Sequence, residues 1–123
     1  MNLEAMNIIL HICSQSAWNE AQIKGNYRAE SLDTQGFIHC STREQVVGTA
    51  NLFFRGQQDL VLLVIDADRL TAPIKVEDAD NGQFFPHVFG PLNLDAVVDV
   101  REFAPEADGT FGNLTWADGK GGE

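Results

Sequence analysis

Apolar residues fall along this chain in short runs, with a single helical stripe, so the pattern predicts strands joined by brief helices. Residues 8 to 13, IILHIC, have strand composition. Ser14 or Ser16 then offers an N-cap before AWNEAQIK, and Gly25 stands where that helix should stop. Residues 26 to 35, NYRAESLDTQ, are polar, contain turn formers and show no clean period, which predicts a loop. GFIHCST, residues 36 to 42, reads as a second strand. Thr42, Arg43, Glu44 and Gln45 fit a capping box, so a helix is expected to start at once. Val46, Val47, Ala50, Phe53 and Phe54 give it one apolar face, and Gly56 ends it.

Residues 60 to 65, LVLLVI, form a continuous apolar run between Asp59 and Asp66, the pattern of a central strand buried on both faces. Residues 66 to 70 suggest one helical turn that Pro73 blocks, and 74 to 77 alternate like an edge strand. With the turn signal Asn81-Gly82, residues 74 to 78 and 83 to 89 become an antiparallel hairpin. Pro91 lacks a donor and rules out a central strand over 91 to 95, whereas 96 to 103 suit one. From Ala104 the chain turns acidic and glycine-rich, with Phe111 and Trp116 its aromatics, and is expected to dock loosely at most. The reading is one α+β domain over 1 to 103, with a bent mixed or antiparallel sheet of five or six strands and two main helices, followed by an extension over 104 to 123.

Composition narrows the function. A chain of 123 residues is one domain by size, large enough for an ordinary core. Lys+Arg number 8 against 18 Asp+Glu, and the net charge of −10 repels phosphate backbones and anionic membranes, so neither nucleic acid nor membrane is an expected partner. No apolar segment approaches the roughly 20 residues of a membrane span, and the N-terminus has an acid where a signal peptide wants bases. The 2 cysteines, Cys13 and Cys40, lack the spacing of a zinc or redox site, which points to a reduced, cytoplasmic protein. A monomer with a small-molecule ligand is the expectation.

The candidate chemistry sits in the 3 histidines, His11, His39 and His87, each of which interrupts an apolar run. Burying an imidazole without a partner costs about 1–3 kcal/mol, so each needs a reason to be there. Strand alternation sets His39 beside Ser41, and Ser41 and Thr42 lead into a helix N-terminus where backbone N–H groups favour an anion. Phe84, Phe85 and Phe89 surround His87 and offer a flat apolar wall; Glu77, in KVED, is an acid next to apolar residues. A metal centre on the three histidines is the alternative, but no H-x-H or H-x-x-x-H spacing supports it, so no bound metal is expected. A protein-interaction domain without chemistry is the other alternative.

LHIC, the W-x-x-A helix, Gly25-x-Tyr27-Arg28, SLDTQGFIHCST, LVLLVID and FPHVFGPLNLDAVV together resemble the bacterial domain of unknown function 952 family over roughly residues 8 to 103. That family is similar in fold to the ADP-ribosyltransferases. The resemblance implies a cleft for a small anionic nucleotide or NAD-like ligand, with NAD as substrate and ADP-ribosyl or glycosidic-bond chemistry. It gives His11 a ribose contact, His39 with Ser41 the second position, and His87 or Glu77 the third. Thr42, Arg28 and Phe89 complete the ligand-binding set.

Overall fold

The computed structural model of the protein describes residues 7–79, 82–112 and 114. Strand β1 (Ile8–Ser14) runs directly into α1 (Gln15–Lys24), because Ser14 leaves the strand and accepts from the Ala17 N–H at 3.0 Å as N-cap. Gly25 ends α1 at φ 93°, the left-handed conformation that favours glycine. The expected loop over 26 to 35 is instead structured. It holds β2 (Asn26–Tyr27) and α2 (Glu30–Thr34), and Gly36 closes α2 at φ 91° while its N–H donates to the carbonyls of Ser31 and Leu32. A helix of five residues is too short to display a period, which is why the sequence pattern misses it.

The expected second strand contracts to β3 (Ile38–His39), after which Ser41 makes an isolated bridge to Leu10 of β1. Helix α3 (Val46–Phe53) begins three residues later than the capping box predicts, with Gln45 rather than Thr42 at its N-cap. Half of the box is built: Gln45 Oε1 accepts from the Thr42 N–H at 3.1 Å. Residues 42 to 45 form a turn, in which the N–H groups of Gln45 and Val46 both donate to the Thr42 carbonyl. Val46 and Ala50 of the apolar stripe are buried, whereas Phe53 is 69% exposed.

Strand β4 (Leu60–Asp66) is buried along its whole length, as its apolar run requires, and is the middle strand of the antiparallel sheet β1-β4-β8, with β8 at Val97–Glu102. A 3-10 turn, Ala67–Arg69, follows it where one helical turn is expected. The hairpin is present as β5 (Ile74–Asp78) and β6 (Phe84–Val88), paired from Ile74↔Val88 to Asp78↔Phe84; Asn81 of its turn lies outside the described residues. β3 joins it in the order β3-β6-β5, and β2 pairs with β7 (Leu92–Asn93). Among the described residues the single expected sheet is thus three small antiparallel sheets; the Cys40 N–H still donates to the Pro86 carbonyl of β6, and the chain then crosses to β1 at Ser41.

Alternation along β1 and β4 feeds two apolar layers. Ile9, Cys13, Leu63 and Ile65 meet Trp18, Tyr27, Ile38, Cys40 and Val88 on one side; Leu10, Ile12, Leu62 and Val64 meet Val46, Ala50, Phe103 and Phe111 on the other. The second layer corrects the expectation for the start of the C-terminal extension. Phe111 is 3% exposed and stacks on Phe103 with ring centroids 4.7 Å apart, and the Asn51 side chain clasps its backbone N–H (2.6 Å) and carbonyl (3.1 Å). Trp116 lies outside the described residues. The protein is a small α+β domain with three α-helices among those residues, none of them long and apolar enough to cross a membrane.

Candidate functional site

The hairpin and β3 build a two-sided sheet. Ile38, Cys40, Val88 and Ile74 face the core, so alternation puts the neighbouring residues of the same strands on the outer face. Register then fixes who meets whom: His39 lies opposite His87, and Lys75 lies opposite His87 on the other flank. Directly opposed antiparallel residues have Cβ atoms about 4.5–5.5 Å apart, so His39, His87 and Lys75 form one row across three strands.

Aromatic contacts hold that row. The Phe37 ring stacks on His87 with centroids 4.1 Å apart at 16°, meets the edge of His39 at 4.8 Å, and approaches Phe89 at 5.3 Å. His39 and His87 stand edge to face at 5.4 Å and 77°. His87 is buried; its Nδ1–H donates to Glu77 Oε1 at 2.7 Å, and Glu77 itself is partly exposed. His39 is exposed, and its Nε2–H donates to Gln35 Oε1 at 2.9 Å. Partial desolvation, and then the neighbouring His87, holds its protonation below the ordinary histidine range. Lys75 Nζ lies 5.0 Å from the centre of the Phe89 ring, a cation–π distance.

His11 stands apart from this face. It is buried in the layer between sheets, where Nδ1–H donates to the His39 carbonyl at 2.6 Å, so Nε2 is left to accept the Tyr27 hydroxyl at 2.8 Å. Burial drives its pKa down to about 4, and the His39 carbonyl offsets that only in part. Burial also raises the Tyr27 hydroxyl well above its ordinary range. The trio is therefore a pair plus a support: His39 and His87 share a face, and His11 holds the backbone of the strand that carries His39.

Of the other expected site residues, Glu77 and Phe89 belong to the outer face. Ser41 does not. Its side chain donates to Thr49 Oγ1 of α3 at 3.3 Å, because the strand has already turned toward β1. Around Thr42, where an anion cradle is expected, four N–H groups are committed elsewhere: Ser41 to Leu10, Thr42 to Gln45, and Gln45 and Val46 to the Thr42 carbonyl. Arg28 pairs with Asp33 at 2.6 Å beside a shallow hollow lined by Glu20, Lys24 and Tyr27. Gln35, Phe37 and Lys75 are site residues that the sequence reading left out. Alternation carries a signal for two of them, since Phe37 lies two residues from His39 and Lys75 two from Glu77; Gln35 enters only through α2. Among the described residues no group of three His, Cys, Asp or Glu side chains is placed to hold a metal ion.

Comparison with known proteins agrees with this architecture. Residues 12–100 match the family described as protein of unknown function DUF952. The chain is similar to protein CC0527 from Caulobacter crescentus. In its crystal structure the identity is 34% and the TM-score 0.80, over 86% of this chain and 94% of that one. Its solution NMR structure gives 36% identity and a TM-score of 0.74 over 85% and 91%. No curated protein matches the chain. With the family pattern spanning β1 to β8 and CC0527 sharing both fold and a third of its residues, the chain belongs to the DUF952 family.

Proposed function

We propose that the outer face of β3-β6-β5 binds a small anionic ligand of the nucleotide or NAD type and serves ADP-ribosyl or glycosidic-bond chemistry. The observation that carries this reading is the His39–His87 pair, backed by Glu77 and stacked on Phe37. Imidazoles near neutral pH exchange protons, and a flat aromatic edge suits a base, whose stacking on an aromatic side chain is worth about 1–3 kcal/mol. Lys75 supplies a local positive charge in an acidic protein, enough for a compact anion and too little for a phosphate polymer. The likeness to ADP-ribosyltransferases remains a fold analogy, and His11 serves in this reading by fixing β3, since both its ring nitrogens are engaged.

Thermal shift tests it. NAD, ADP-ribose or AMP is expected to raise the melting temperature, since a ligand at a hundred times its Kd stabilises the folded state by about 2.7 kcal/mol. His39→Ala, at an exposed position, is expected to remove the shift and keep the fold. No shift with any of the three at millimolar concentration rejects the reading; binding without nicotinamide release from NAD leaves a binding module.

A further inference from the structure

Two imidazole nitrogens on the outer face have no hydrogen-bond partner among the described residues, His39 Nδ1 and His87 Nε2, and they are not equivalent. A carboxylate carries no hydrogen at neutral pH, so the contact at 2.7 Å keeps the hydrogen of neutral His87 on Nδ1 and the lone pair on Nε2. Nε2 is not sealed from solvent, for His87 keeps 10% of its side chain exposed. Phe37, stacked at 4.1 Å and 16°, and the edge of His39 hold the ring plane. A proton arriving on Nε2 makes an imidazolium whose counter-ion is already in hydrogen-bond contact. His39 lacks that support: its partner is the neutral amide of Gln35, and desolvation together with His87 disfavours its charged form. His11 lacks a lone pair to offer, because its Nε2 already accepts from Tyr27. The ammonium of Lys75, across from His87, lies over Phe89.

We infer that His87 is the proton acceptor of this face, acting through Nε2, and that Glu77 is its positioning residue. The inference rests on the proposed ligand site. Water, or an acceptor hydroxyl, gives its proton to Nε2 while its oxygen bonds to the anomeric carbon. The carbon–nitrogen bond breaks, and its electron pair leaves with the base nitrogen, which departs neutral when the base is a pyridinium. Glu77 stabilises the imidazolium until the proton passes to solvent.

The test has an arm that needs no ligand. Long-range 15N NMR of the imidazoles at neutral pH is expected to show His87 hydrogenated on Nδ1 in the wild type, with that preference lost in Glu77→Gln and kept in Glu77→Asp. A wild-type His87 that carries its hydrogen on Nε2 overturns the inference, whatever becomes of the ligand site. In the second arm, nicotinamide release from NAD is expected to fall roughly ten- to a hundredfold in kcat in Glu77→Gln with little change in KM, and to recover in part in Glu77→Asp. Undiminished kcat in Glu77→Gln overturns the inference alone. Absence of release from the wild type overturns it together with the proposed chemistry.

Discussion

His11 and His39 meet ring to backbone: Nδ1–H of His11 donates to the carbonyl of His39 at 2.6 Å, while the His39 ring lies on the opposite business of the strand, its outer face. One histidine is thus part of the scaffold and the other part of the surface it supports. The bond joins residues 28 positions apart and ties β1 to the strand that delivers the site.

Replacing His11 with Ala is expected to destabilise the fold, because it removes the partner of the buried Tyr27 hydroxyl and of the part-buried His39 carbonyl, at about 1–3 kcal/mol for a buried group left unpaired. Urea denaturation measures it as a lower midpoint with an unchanged slope. An unaltered midpoint contradicts the supporting role.

The same residue sets a pH dependence. The folded pKa of His11, about 4, lies below its ordinary 6.5, so the unfolded chain binds more protons between those values. Its contribution is full above pH 6.5 and is lost as pH falls through about 4, amounting to roughly 3 kcal/mol. His11→Asn, which keeps a donor but does not titrate there, is expected to flatten this part of the stability curve. Equal slopes for wild type and variant contradict it.

Phe111→Ala is expected to cost about 3 kcal/mol, the cavity left by a buried aromatic that stacks on Phe103. A chain ending at Phe103 also loses the Asn51 clasp and should melt lower by roughly ten degrees. Identical melting of the full and shortened chains shows that residues past 103 add nothing.

Neither cysteine is expected to react in the folded protein. Burial pushes the Cys13 thiol up to about 11 and Cys40 up to about 12, so the thiolate that attacks a disulfide reagent is scarce at neutral pH. Titration with such a reagent should give modification only after denaturant is added. Rapid native labelling of either residue contradicts this.

Purified protein is expected to hold no stoichiometric zinc or iron, since His11 is committed to Tyr27 and His39, and Glu77 to His87. Elemental analysis after dialysis decides it, and retained metal moves the three histidines to a different chemistry.

The sequence by itself determined the elements whose signals are local. A serine at 14 or 16 and Gly25 bracket α1 through caps that act within one turn, the structure choosing Ser14, and the unbroken run from Leu60 to Ile65 can only be buried on both faces, which makes β4 central. Alternation also separated the core side of β3, with Ile38 and Cys40, from the side that carries Phe37 and His39. What joins distant segments was left to the tertiary structure. The pairing of His39 with His87 is a register between residues 48 positions apart in the numbering, which no local pattern specifies; it sets His39 beside the Lys75 and Glu77 that the β5-β6 hairpin places against His87. The departure after Cys40, which takes Ser41 to Leu10 and Thr49, removed two residues from the site for the same reason. Phe111, in a polar and glycine-rich context, docks because the far side of β4 offers an apolar layer that the nearby sequence does not reveal.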